Sequence, residues 1–309
     1  MSYSLKITRD HDDRRLDHVL RSVFKWIPLG EIMKAIRKGE IRVNSVKARE
    51  PGQRVFEGDE LITKWPLREE ESKNYFNDLG RIKIIFQGEN VMLINKPVGI
   101  LVQPDTKNGD SVITRVRGFL NSNSPVPVHR LDRNTTGVLA IALNGQALRA
   151  MENLFKQRNI TKKYLAIVDG KAPENILIDA PLLKDAENNL VSVDFENGLK
   201  ALSNVRKIAG DEKNSLVEIE LLTGRTHQAR VHMAYIKHPI TGDTKYGTHK
   251  KFIDKNNKNI TRPLLHAYEL KFPDNLPDVL DEIKGKSFKA PLPDDFINIM
   301  KIHKWELDF

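Results

Sequence analysis

Leu16, Val19, Leu20, Val23, Phe24 and Ile27 recur at helical spacing, with Arg14, Arg15, Arg21 and Lys25 on other faces, which predicts a helix with one buried stripe. Pro28 interrupts the pattern. Ile32, Met33 and Ile36 then predict a second helix from about Leu29 to Lys38, with Gly39 placed as its C-terminal cap. Ile41–Asn44 and Glu60–Lys64 read as strands, separated by turn signals at Pro51-Gly52 and Glu57-Gly58-Asp59. These elements define a small module over 13–65. Residues 66–78 (PLREEESKNYFND) are charged and aperiodic, so a linker is expected there, with a larger domain over 79–309.

In that larger domain, apolar runs predict strands at 82–86, 91–95, 138–143, 163–168, 216–222 and 265–271, and helical periodicity predicts helices at 145–157 and 227–237. The strands outnumber the helices and do not alternate regularly with them. The expected fold class is therefore α+β, with a larger domain built on a mixed, largely antiparallel sheet. Pattern alone leaves 170–215 open.

Charge changes the picture locally. The 309 residues carry a formal +9, which favours polyanionic partners. Between Arg14 and Arg54 there are eleven Lys and Arg against four Asp and Glu, so +7 of the excess lies in the small module. Taken alone, that charge fits a solvated helical hairpin as well as a surface for a phosphate backbone. No cysteine is present, which excludes disulfide scaffolds, thiolate metal sites and cysteine nucleophiles. The longest wholly apolar run, Val138–Leu143, is far short of the roughly 20 residues needed to span a bilayer. The first ten residues have no apolar h-region or cleavage site, so a soluble, cytoplasmic protein without a membrane role is expected, with monomer as the default state.

Familiar cofactor motifs fail one by one. There is no G-x-G pair for a dinucleotide. Gly242 and Gly247 have P-loop spacing, but Thr248-His249 follow where Lys and Ser/Thr are required. There is no G-x-S-x-G elbow, and His227 and His232 are five apart with no Glu between them, unlike a zincin pair. No metal or other cofactor is expected.

Three stretches carry candidate chemistry. In Val128-His-Arg-Leu-Asp-Arg-Asn-Thr-Thr-Gly137, a polar turn precedes an apolar strand, which places Asp132 at the mouth of a sheet between Arg130 and Arg133. A carboxylate among cations stays ionised and can serve as nucleophile or base towards an anionic ligand, although Asp is also a common turn former. Tyr164 is one aromatic hydroxyl on an otherwise apolar strand. Thr223–His232 is a polar turn entering a helix, with Arg225 and Arg230 in it.

The order of residues adds two resemblances. Arg15–Leu20, Ile36–Asn44 (IRKGEIRVN) and Val55–Leu61 together resemble the S4 RNA-binding domain over nearly its full length. That resemblance implies an α-L motif docking on structured RNA, with Arg14, Arg15, Arg37, Lys38, Arg42, Lys47 and Arg49 as contacts. The stretches HRLDRNTTG, KKYLAIVDG and GRTHQARVHMAYIKHPITGDTKYG, with Glu89–Gly99 before them and Leu264–Phe272 after, resemble the RluA family of RNA pseudouridine synthases over 81 to about 295. Where the family usually has an acidic residue and often Ser, this chain reads Asn134, Thr135 and Thr136, all small polar turn formers. Within the family, RKGEIRVN, HRLDR, GQALR and PLLK resemble the C type that acts on large-subunit ribosomal RNA, with the related D type as the alternative.

The family resemblance implies isomerisation of uridine to pseudouridine without a cofactor, with 23S rRNA or the assembling large subunit as partner. Asp132 matches the essential aspartate, acting by attack at the anomeric carbon or by removing the 2′ proton. Tyr164 matches the tyrosine that stacks on the uracil, and Arg230 the basic residue paired with the carboxylate. Arg130 matches the arginine that fills the stack when the uridine flips out. The rival reading is an S4-type RNA-binding protein without chemistry.

Overall fold

Val138, Ala140 and Ala142 pack with helix residues Ala147, Met151 and Leu154, whereas Leu139 and Ile141 pack with Val112, Ile113 and Val116 of another helix. One strand, Thr136–Ala142, is thus covered on both faces, which is why its sequence reads as an unbroken apolar run rather than an alternating one. The computed structural model describes residues 2–8, 11–24, 26–66, 79–105, 109–185, 187–247, 252–253, 259–260 and 262–305, so the expected linker beyond residue 66 lies outside the described residues.

The main sheet has ten strands. Eight follow one another in the spatial order Asn175–Asp179, Leu202–Gly210, Asn214–Leu221, Thr161–Asp169, Leu265–Lys271, Thr136–Ala142, Val91–Lys96 and Lys83–Gln87. Val126–Pro127 pairs with the end of Thr136–Ala142, and Ser287–Lys289 with the end of Leu265–Lys271, both central strands of the sheet. Every pairing is antiparallel except that of Thr136–Ala142 with Leu265–Lys271. The architecture is α+β with a mixed sheet, and all six predicted strands and both predicted helices of this domain are present within a few residues.

The open region 170–215 supplies strands Asn175–Asp179 and Leu202–Gly210, along with the small hairpin Leu182–Asp185 and Leu190–Val193. Their pattern is weak because they lie towards one side of the sheet, and Leu177, Leu183 and Leu190 remain exposed. Three further elements had no sequence signal strong enough to place them: helices Val112–Phe119 and Asp294–His303, and a 3-10 turn at Asp278–Ile283.

The small module folds as expected around helices Leu16–Val23 and Leu29–Arg37. Its four-stranded sheet runs Tyr3–Lys6, Glu60–Thr63, Ile41–Val43, Val46–Ala48, so it recruits residues ahead of position 13. Leu16, Leu20, Ile32, Ile36 and Leu61 are fully buried in its core. The first helix stops at Val23; Phe24 continues the apolar stripe from a non-helical position, with its ring against Trp26 and Trp65. The loop before it docks on the larger domain. Asp13 pairs with Arg149, Gln146 Nε2 donates to Asp12 at 3.1 Å, and Arg14 Nη2 donates to the Ser124 carbonyl at 2.9 Å.

Candidate active site

Asp132 lies in the loop that enters the strand Thr136–Ala142, and the turn is closed by Thr135 N–H donating to the Asp132 carbonyl at 3.1 Å. Two groups hold the loop from beneath. Lys96 is fully buried and donates to the carbonyls of Pro97, Arg133 and Thr135 at 3.0, 2.9 and 2.9 Å. Burial pushes its ammonium down to about 7, against the pull of the Asp132 charge. Arg262 grips Asp295 through both oxygens at 2.6 Å and donates to the Asn134 carbonyl at 3.3 Å.

Gly137 makes the strand entry possible. Its φ is +116°, and a Cβ there would sit 2.1 Å from the carbonyl oxygen of Ala267 in the parallel neighbour. Next to it Thr136 Oγ1 meets His266 Nδ1 at 2.8 Å, in the one parallel contact of the sheet.

Arg230 arrives from the opposite side, on the helix Gln228–Tyr235. Gln228 seats that helix: its Oε1 accepts from Thr223 Oγ1 and Arg225 N–H, and its Nε2 donates to the Leu202 carbonyl and Ser203 Oγ. Arg230 Nη1 donates to Asp132 Oδ2 at 3.2 Å. Its other edge is taken by Asp243, with Nε to Oδ2 at 2.7 Å and Nη2 to Oδ1 at 2.8 Å. Burial opposes the guanidinium charge, but the bonds and charge of Asp243, and then Asp132, outweigh it and raise its pKa. Burial likewise opposes the Asp243 charge, yet Arg230 and two backbone N–H groups hold its carboxyl below the usual range. Asp132 retains 32% side-chain exposure, whereas Asp243 has none.

His227 approaches the same carboxylate, with Nε2 at 3.7 Å from Asp132 Oδ2. Its Nδ1 meets the Tyr246 hydroxyl at 2.7 Å, and that hydroxyl accepts the Val191 N–H at 3.1 Å. The pattern is satisfied when Tyr246 donates its proton to Nδ1 and the imidazole proton sits on Nε2, facing Asp132. Burial, helped by Arg230 and Lys245, lowers the His227 pKa against the charge of Asp132, so the ring is neutral near pH 7.

Tyr164 sits on the strand Thr161–Asp169, registered against Ala267 and Ile219 and packed between two core clusters. Burial first, and the nearby Asp132 charge second, push its hydroxyl well above the ordinary tyrosine range, so it is protonated at neutral pH. Arg130 is exposed, and its guanidinium forms no hydrogen bond or ion pair among the described residues. Thus Asp132, Arg230 and Tyr164 come together, with Arg130 at the rim.

The cations of the small module divide. Arg37, Lys38, Arg42, Lys47 and Arg49 are all exposed. Arg42 and Lys47 face each other directly across the hairpin, a like-charge pairing that favours an anionic partner. Arg15 is exposed but forked onto Asp17 at 3.0 Å through both Nε and Nη2, and Arg14 is half-buried at the contact with Ser124.

Site residues with no individual assignment from sequence are Lys96, His227, Asp243 and Tyr246. All lie inside stretches with recognisable motifs, and two glycines there mark close approaches: a Cβ on Gly242 would meet the Arg262 carbonyl oxygen at 2.2 Å, and one on Gly247 the Asp243 carbonyl oxygen at 2.3 Å.

Residues 90–235 match the profile of the RNA pseudouridylate synthase family, and residues 14–61 match the S4 domain. The chain is 34% identical over 283 residues to ribosomal large subunit pseudouridine synthase C of Buchnera aphidicola subsp. Baizongia pistaciae, covering 88% of this chain and 89% of that protein. It is 29% identical over 317 residues to ribosomal large subunit pseudouridine synthase D of Vibrio cholerae, covering 97% and 95%. The solved structure of human RNA pseudouridylate synthase domain containing 4 superimposes with a TM-score of 0.58 at 24% identity, over 74% of this chain and 94% of that one, and so speaks for the fold.

Proposed function

The chain belongs to the RNA pseudouridylate synthase family, and from that premise we propose that it isomerises specific uridines in large-subunit ribosomal RNA to pseudouridine, with Asp132 as the reacting carboxylate and no cofactor. The observation that carries this reading is the placement of Asp132. One partly exposed carboxylate stands at the end of a rigid sheet, its Oδ2 bonded to a buried arginine at 3.2 Å.

The reaction breaks the bond between uracil N1 and ribose C1′, turns the base, and joins C5 to C1′; the C5 proton then leaves and N1 is protonated. Asp132 acts either by attack at C1′ or by taking the 2′ proton, and either role needs an ionised, oriented acid. Arg230 supplies the orientation. Tyr164, held protonated beside it, offers a ring for the uracil and a hydroxyl for the proton step at C5. The target must leave its stack, which costs a few kcal/mol, and the unengaged Arg130 at the rim is suited to fill the gap. Exposed cations of the S4 domain would hold the surrounding RNA by its phosphates.

The test is release of tritium from C5-labelled uridine in undermodified large-subunit rRNA with no added cofactor. The wild-type protein is expected to release it; Asp132→Asn is expected to release none while still binding RNA. Failure of the wild-type protein to release tritium overturns the reading.

A further inference from the structure

Resting on that reading, we propose that the helix Gly145–Gln157 is a seat that fixes the S4 domain against the larger domain, so that Gly145 and Arg149 help to decide which uridines reach Asp132. Both residues lie in the stretch GQALR, which no step of the reaction uses.

The seat is built from carboxylates that each bridge the two domains. Asp12 Oδ1 accepts the Glu57 N–H of its own domain at 2.9 Å, and its Oδ2 accepts the Gln146 amide at 3.1 Å. Asp13 sits between two arginines. Its carbonyl accepts from Arg54 Nη1 of the S4 domain at 2.7 Å and from Arg149 Nη1 at 2.6 Å, and its carboxylate pairs with Arg149 as well. The residue has a left-handed φ of +50°, a conformation uncommon outside glycine and fixed here by those bonds. Gly145 lets the surfaces meet. Its backbone is helical, so conformation does not call for glycine there, but proximity does: a Cβ would stand 2.7 Å from the Asp12 carbonyl oxygen. Arg14 adds a third tie on another segment, from Nη2 to the carbonyl of buried Ser124 at 2.9 Å.

Rigid structure runs from this seat to the reacting carboxylate. Ala147, Met151 and Leu154 of the same helix pack on Val138, Ala140 and Ala142, in the strand that the Asp132 loop enters. The span from the S4 cations to Asp132 is therefore fixed, and an RNA held by its phosphates on that domain presents only uridines at a matching distance. An unseated S4 domain would sample many spans. Among the described residues, the S4 core draws only on positions from Leu5 to Trp65, so the seat can be broken without opening either core.

The test is the map of pseudouridines that the full chain forms in undermodified large-subunit rRNA, with the enzyme in saturating excess so that affinity drops out. Gly145→Ala adds the one methyl group that the seat excludes, and Arg149→Glu sets like charges against Asp13. Each is expected to lower modification at the wild-type uridines on the order of 10-fold and to bring in uridines that the wild-type protein leaves alone. A contact serving stability alone would lower every site together and add none. An unchanged map, or a uniform loss without new uridines, overturns the proposal. Should circular dichroism show either variant unfolded, Asp12→Ala breaks the seat from the S4 side and is read by the same outcomes. A wild-type protein that forms no pseudouridine defeats the synthase reading instead.

Discussion

Arg230 and Asp132 are 98 positions apart in the chain and 3.2 Å apart in the site. Both were legible in the sequence because each sits in a motif of unusual composition. Asp243 was not: it follows Arg230 after a helix end and a turn, so no period connects them. His266 shows the same limit in a group with a measurable consequence. Its Nε2 donates to the Ala290 carbonyl at 3.3 Å and its Nδ1 accepts from Thr136, which uses both nitrogens of a neutral ring. Burial above all, with Arg262 adding, pushes its pKa down to about 4. The unfolded chain takes up this proton near pH 6.5 and the folded one only near 4, so the stabilisation is complete above 6.5 and is lost as pH falls between those values. On the order of 3 kcal/mol should disappear by pH 4. Urea titrations of wild type and His266→Gln at pH 7 and pH 4 check this: the variant should lose less stability by about that amount. Equal losses refute it.

At the scale of elements, strands with both faces covered or with strong apolar runs announced themselves, and those near the outer side of the sheet did not. Leu202–Gly210 alternates only in its first half, with Ser203 and Val205 buried and Asn204 and Arg206 exposed, and then passes through a register shift between Lys207 and Ala209, which blurs its period. What makes the Asp132 loop possible is also an element property. The parallel contact of Thr136 and Gly137 with His266 and Ala267 needs a backbone closer than a side chain permits. Gly137→Ala is therefore expected to cost at least about 2 kcal/mol in urea unfolding, from both the positive φ and the clash with Ala267. A midpoint matching wild type would show that the neighbouring strand can move aside.

At the scale of the whole molecule, the +7 of the S4 region is not all available to RNA. Arg14 helps join the domains and Arg15 answers Asp17, so of the seven expected contacts five face outwards, Arg37, Lys38, Arg42, Lys47 and Arg49, with Arg21 and Lys34 exposed as well. Replacing these five with Gln in the full chain should weaken RNA binding and flatten its dependence on salt, each lost phosphate contact removing roughly 0.7–0.9 from the slope of log K against log salt. Filter binding across a salt series reads this directly. An unchanged slope would move the RNA interface elsewhere. No helix among the described residues is long and apolar enough to cross a membrane.

The two-part organisation, the α+β class and the motifs that carry Asp132, Tyr164 and Arg230 were readable along the chain, because periodicity and local composition are properties of contiguous residues. Tertiary structure alone decided which basic residues face outwards, how the strands order, and that one arginine stands between two aspartates. Those depend on contacts between segments whose separation leaves no period in the chain, and on close approaches such as Gly137 to Ala267 that exist only once the sheet has formed.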